Sequence, residues 1–381
     1  MGFLFILHLK QKIYLLTAAM LLTCFSCRSN IRNSSNNSLV TTTSTPINFS
    51  SDKSTKDSTA TVHRPTPPQG DIVNRTKQAY SYQEMLEDLK IMAEVWPEYI
   101  RYETRSKTFQ GRAIPVVYFG NPNAKHFVMV QAAMHAREYM SAQLVMAMLE
   151  YYLRNYETES FSGQKLNQLL EKVSFVIIPM VNPDGVEIAQ RGEAGAVTAD
   201  VKEWVRTNTQ AGTKYDQIKS NARGVDINRN FYNGFGKDSK RKPSKNYSHY
   251  PGTKPLTEVE SQLVMSVAQE HDYVCFLNYH TSGNLVYHGC KNATNKVNDQ
   301  ALKMANIIKR HTNYPLYGPD TSPECGSWGD EVEVRFLRPS ATIELGTKNP
   351  VPLSEFAGLY KKNLWVWADL AYSIINGTFE N

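Results

Sequence analysis

"HFVMVQAAMHAREYMSAQLVMAMLEYYLRNY", residues 126–156, changes its pattern midway. It opens as a short apolar run, the signature of a buried strand, and from Ser141 it reads as a helix. Three costly polar groups, His135, Arg137 and Glu138, sit where the two meet. The alternation continues outward. "IPVVYFG" (114–120), "VSFVIIPMVNPDG" (173–185), "YVCFLNYHTSG" (273–283) and "PSATIELG" (339–346) read as strands, the second ending in the turn signal "NPDG". "SYQEMLEDLKIMAEVWPEYI" (81–100) places Met85, Leu86, Leu89, Ile91, Met92 and Val95 at helical spacing, with Ser81 as its N-cap. "TEVESQLVMSVAQEH" (257–271), "DQALKMANIIKRH" (299–311) and "SEFAGLYKKNLWVWADLAYSIING" (354–377) also read as helices. Strands alternating with long helices predict an α/β fold with a parallel or mixed sheet.

The bulk numbers fit that fold. With 381 residues, 41% hydrophobic and 11% aromatic, the chain has the material for a sizeable core. A net charge of +6 without a run of five basic residues argues against a nucleic-acid partner. Residues 1–27 combine two lysines with the apolar run "IYLLTAAMLLTCF", which suits a signal peptide better than a membrane span. Cys24 lies at the end of that run and Cys27 just after it, so either cleavage or lipidation fits, and the expected residence is secreted or extracytoplasmic, any membrane attachment being N-terminal. Residues 28–75 are rich in Ser, Thr, Asn and Pro and read as a disordered tether. Residues 76–381 read as the catalytic domain.

In sheets of this kind, active residues gather at strand C-terminal ends. Here those ends supply His135, Glu138, His280 and Glu344. His135 and Glu138, three apart, face the same way in a helical turn. With a histidine from a distant strand they make three protein ligands and leave a fourth position open, the pattern of catalytic rather than structural zinc.

The ordered set "HAREY", "IPMVNPDGVE", "GVDINRNF", "YPGTKPLTEVES", "NYHTSG" and "ATIELG" resembles the zinc carboxypeptidase family, the carboxypeptidase A-like metallopeptidases, over residues 78–375. "SNARGVDINRNF" and "NYHTSGNLVYH" resemble its bacterial branch that cuts γ-D-glutamyl-diaminopimelate bonds. The resemblance implies a sandwich with a central mixed eight-stranded sheet flanked by helices, and one zinc per chain on His135, Glu138 and His280. It implies that Asp226 accepts a hydrogen bond from the first ligand histidine. Arg137, Asn228 and Arg229 hold the substrate carboxylate, and Glu344 is the general base. Arg223 is matched to the arginine that polarises the scissile carbonyl.

Two departures concern specificity. The family's mobile capping tyrosine has no equivalent in "DTSPE", leaving Tyr317 further back as its stand-in. The position that sets side-chain preference falls near Trp328 and Asp330, where Trp328 would favour a small side chain and Asp330 a basic or zwitterionic one. Cys275 reads as a core thiol, and Cys290 with Cys325 as a pair that an exported protein can oxidise. The expected activity is hydrolysis of amide bonds next to a free carboxylate, in a peptide or cell-wall muropeptide, by a monomer. The alternatives are a zinc deacylase of small N-acyl amino acids and a non-catalytic peptide-binding module.

Overall fold

The computed structural model describes residues 65–319 and 325–380. The expected signal peptide, and residues 28–64 of the expected tether, lie outside them. Eight strands form one mixed sheet: β1 (Ile100–Lys107), β2 (Ala113–Phe119), β3 (His126–Ala132), β6 (Val173–Ile178), β7 (Tyr273–Thr281), β8 (Leu285–His288), β9 (Leu316–Tyr317) and β10 (Ser340–Leu345). A separate hairpin joins β4 (Ser160–Phe161) to β5 (Gln164–Lys165). The spatial order is β1-β2-β6-β3-β7-β10-β8-β9. β3 runs parallel to β6 and β7, and β7 parallel to β10. The pairs β1–β2, β2–β6 and β10–β8 are antiparallel. The mixed eight-stranded sheet expected from the sequence is therefore present.

The central strands are covered on both faces, which is why they read as continuous apolar runs. On one face, Val128, Val130, Leu277 and Tyr279 pack with Leu144, Ile308 and Trp367. Those partners come from α2 (Tyr139–Arg154), α7 (Asn295–Thr312) and α10 (Val366–Ile375). On the other, Met129, Val176 and Phe276 meet Phe231, Trp328 and Val264, the last from α6 (Val259–Val267). The first helix, α1 (Tyr82–Val95), begins as predicted: Ser81 caps it and Glu84 closes a reciprocal capping box.

Four details differ from the sequence reading. "NPDG" does not end in a turn but starts a helix, Pro183–Arg191: Asn182 accepts from the Gly185 amide and Pro183 takes the first position. Asn and Pro serve turns and helix starts alike, so this signal is two-valued. The predicted closing helix is two, Leu353–Asn363 and Val366–Ile375. Strand β1 was missed because its central residues are exposed and polar. Finally, the folded chain begins before residue 76. Val73 is fully buried, and the Glu150 carboxylate accepts the amides of Ile72 (2.8 Å) and Val73 (3.0 Å). Arg154 reaches the carbonyls of Pro68 and Gly70. Paired backbone offsets the ordering cost that polar composition alone suggests the segment cannot meet.

Candidate active site

β3 ends at Ala132, and Ala133 takes a left-handed turn (φ 47°). His135 to Glu138 then form a turn, with the Glu138 amide donating to the His135 carbonyl at 3.1 Å, and Glu138 occupies the N-cap position of α2. The pair is thus presented by a turn before the helix rather than by the helix itself. Neighbouring backbone clamps it: Ala136 donates to the Lys219 carbonyl and Arg137 to that of Ile218, both at 3.0 Å. Asn182 donates to the Met134 and Ser220 carbonyls.

The second histidine arrives by sheet register. Parallel pairing of β7 with β10 places His280 beside Glu344, and β7 is also the parallel neighbour of β3. Donor atoms of His135, Glu138 and His280 all lie within 4.8 Å of one another, and all three residues are buried. His135 Nδ1 is 2.9 Å from Glu138 Oε1 and 3.2 Å from His280 Nδ1, which is itself 3.0 Å from Glu138 Oε2. On the far side of the ring, His135 Nε2 faces Asp226 Oδ1 at 3.3 Å, an ion-pair separation without hydrogen-bond alignment. Burial works to raise the Glu138 carboxyl, but the two imidazoles outweigh it and hold it well below the usual range. Asp226 is likewise held well down, burial being outweighed chiefly by His135.

This donor set fits zinc. Two imidazole nitrogens and a carboxylate converge in a buried pocket, and a cation among them would offset the buried Glu138 charge, whose desolvation is otherwise costly. Three donors with Asp226 behind one ring is the arrangement of an open zinc site with an oriented histidine.

His135 and Glu344 line a cleft of about 430 Å³, within the usual size of ligand sites. Burial pushes the Glu344 carboxyl up to about 7, opposed mainly by His280. Lys219, Asn228 and Arg229 line the same cleft. The Asn228 side-chain oxygen accepts the Trp328 amide at 2.9 Å, so its NH2 is the end left to donate. Arg229 binds Asp238 through Nε (2.8 Å) and the Asn228 carbonyl through Nη1 (2.7 Å). The facing wall, from 287–289, 330–333 and 340–342, carries Asp330, Glu333 and His288. Glu333 accepts from the Gly289 amide and Ser340 Oγ, and burial pushes its carboxyl up to about 7.

Several residues expected here are elsewhere. Arg223 points away: it is half exposed, lies 3.5 Å from Glu258 and 5.8 Å from the Phe109 ring, and does not line the cleft. The cation that lines the cleft besides Arg229 is Lys219, four positions before Arg223, which the sequence reading passed over because a lone loop lysine has no periodicity to mark it. Trp328 is 1% exposed and packs on Phe231 and Phe276, so it is core behind Asn228 and not a pocket side chain. Tyr317 is half exposed on β9 and contacts Tyr287, and of the two only Tyr287 lines the cleft. Arg137 leans on Gln217 at 3.3–3.4 Å, outside the lining, although its charge helps to keep Glu344 ionised. Cys290 and Cys325 are free thiols.

Comparison with known proteins places the chain in a family. The family model described as zinc carboxypeptidase matches residues 85–321, ending before Glu344. Gamma-D-glutamyl-L-diamino acid endopeptidase 1 of Lysinibacillus sphaericus is 25% identical over 297 residues, covering 76% of this chain and 72% of that protein. Carboxypeptidase O of Bos taurus is 25% identical over 295 residues, covering 70% and 72%. The crystal structure of thrombin-activatable fibrinolysis inhibitor superposes with a TM-score of 0.63 at 16% identity, over 81% of this chain and 77% of that one. Carboxypeptidase A from Helicoverpa armigera gives 0.58 at 20% identity, over 80% and 75%. These two share the fold, and the family match adds descent: the chain belongs to the zinc carboxypeptidase family.

Proposed function

We propose that this metallopeptidase is exported and hydrolyses amide bonds next to a free carboxylate, with His135, Glu138 and His280 holding one zinc ion. The observation that carries the reading is that His135, one of these three clustered donors, lines one cleft together with Glu344, Lys219, Asn228 and Arg229. Zinc held there supplies Lewis acidity, polarising the scissile carbonyl and making water a nucleophile near neutral pH.

The chain's own groups account for the rest. Asp226 holds His135 in the tautomer with its proton on Nε2, leaving the Nδ1 lone pair toward Glu138 and His280. Glu344 takes a proton from the attacking water and passes it to the leaving amine. Lys219 replaces Arg223 as the cation facing the oxyanion that develops on the carbonyl. The free edges of Asn228 and Arg229 grip the substrate carboxylate, a planar anion that suits a guanidinium fork. Arg137 adds positive charge nearby.

The pocket wall points to the substrate. With Trp328 in the core, Asp330 and, above about pH 7, Glu333 bring negative charge to that lining, and they favour a side chain bearing an ammonium. A diamino acid on the carboxyl side of the cut bond has that group, in accord with the activity named for the Lysinibacillus relative. Among the described residues no helix is long and apolar enough to cross a membrane, so export rests on residues 1–27. The test is digestion of γ-D-glutamyl–diamino acid peptides beside ordinary α-linked peptides, read by mass spectrometry. Release of the diamino acid portion supports the proposal, and an uncut panel with fully zinc-loaded protein refutes it.

A further inference from the structure

We propose that Asp238 is a positioning residue that sets the guanidinium of Arg229 for the substrate carboxylate; this rests on the carboxylate-anchor reading above. Arg229 is long and must lose rotamer freedom before it can present a fixed fork. Two bonds fix it here, Nε to Asp238 Oδ2 (2.8 Å) and Nη1 to the Asn228 carbonyl (2.7 Å). They engage Nε and Nη1 and leave the Nη2 N–H groups for a ligand. Asp238 is fixed in turn. His249 Nδ1 lies 2.8 Å from the same Oδ2, and the Lys240 amide donates to Oδ1 at 2.9 Å.

The direction of the brace matters. Asp226 also attracts Arg229, and Asp226 is the carboxylate behind His135. Asp238 offers the guanidinium a competing partner, which keeps it from turning toward the residue that orients the metal ligand. The same loop serves Asp226 directly: the His249 amide donates to Asp226 Oδ2 at 2.9 Å, with His249 in the left-handed region (φ 61°). Residues 238–249 therefore hold the carboxylate anchor by one side chain and the histidine-orienting carboxylate by one backbone amide. One contact falls on Arg229, which lines the cleft, and the other on Asp226, buried behind His135.

The experiment is a double-mutant cycle on the full-length zinc-loaded protein. The readout is the ratio of kcat/KM for a peptide with a free terminal carboxylate to that for its amide. Arg229→Ala collapses the ratio if the anchor reading holds. Asp238→Asn, nearly isosteric, is expected to lower the ratio by about tenfold or more, the worth of one charge-assisted hydrogen bond, through KM with kcat within about twofold and zinc content unchanged. In the Arg229→Ala background it is expected to add nothing. An unchanged ratio in Asp238→Asn, or an equal loss in both backgrounds, overturns the proposal while leaving the anchor intact. A ratio that survives Arg229→Ala overturns the anchor reading itself. If Asp238→Asn fails to fold, His249→Asn, which suits the left-handed backbone, carries the test: a smaller loss in the same direction supports the proposal, and no loss overturns it.

Discussion

Replacing Asp226 by asparagine changes one atom and has a calculable consequence. Asp226 Oδ1 faces His135 Nε2 at 3.3 Å, and Oδ2 accepts the His249 amide at 2.9 Å. Both oxygens therefore face donors, and an amide offers only one oxygen. If it is kept for His249, the NH2 faces His135 Nε2 and forces that nitrogen to accept. The ring proton then moves to Nδ1, the atom 2.9 Å from Glu138 and 3.2 Å from His280, and the ligand lone pair is lost. If the amide is flipped, its NH2 opposes the His249 N–H, leaving a buried donor unsatisfied at about 1–3 kcal/mol. The first arrangement removes the ligand lone pair, and the second, besides that cost to stability, puts a neutral amide where a carboxylate supported the ring, so zinc affinity should fall by about 10–100-fold, or roughly 1.4–2.7 kcal/mol. Competition against a chelator of known affinity measures this at equilibrium, with circular dichroism checking the fold. Unchanged affinity in a folded Asp226→Asn protein would refute the tautomer reasoning and leave Asp226 a structural acid.

Three further outcomes follow from particular contacts. Lys219→Ala is expected to lower kcat by about 10²–10³, as loss of an oxyanion donor does, whereas Arg223→Ala, which removes a half-exposed ion pair, should stay within about twofold; the reverse ranking in steady-state assays restores Arg223. Glu344→Gln should cut turnover at least about a hundredfold with zinc retained. Because Glu344 must be ionised to act and burial pushes it up to about 7, parent kcat/KM should climb as pH rises toward that value; a flat profile from pH 5 to 8 speaks against it as base. Glu260, buried beside Glu258 and Asp184, has its carboxyl pushed up to about 8, chiefly by burial. A raised folded value means stability present below the ordinary 4.5 and lost as pH climbs through about 8, so Glu260→Gln should gain in melting temperature over the parent between pH 5 and pH 9. A constant difference would show that Glu260 does not titrate there.

Much of this protein is legible in its sequence, for identifiable reasons. The buried central strands carry unbroken apolar runs, and His135, Glu138, His280 and Glu344 sit at the ends of those runs, where sheet geometry brings strand termini together. Local chemistry fixed Ser81 as a cap. What stayed hidden depends on direction rather than residue type. Arg223 and Lys219 are both cationic and four apart, and the clamp between 218–219 and 136–137 sets Lys219 at the cleft. Trp328 has the right position for a pocket floor, yet its ring turns into the core with Phe231 and Phe276. Asp238 and His249 carry no periodic signal, since their partners are ten or so residues away across a loop. The segment before residue 76 looks like a linker by composition, and its anchor, Glu150, lies within an apolar helix where its i+4 partner Arg154 reads as an ordinary helix ion pair.

The central claim is that His135, Glu138 and His280 form a zinc centre, and zinc K-edge absorption of the purified full-length protein tests it most directly. The account predicts one zinc per chain with only nitrogen and oxygen neighbours at about 2.0–2.2 Å, imidazole scattering included, and loss of that signal in a folded His280→Ala variant. A sulfur shell at about 2.3 Å, which would implicate Cys325 at the cleft or Cys290, or undiminished zinc in His280→Ala, would contradict it.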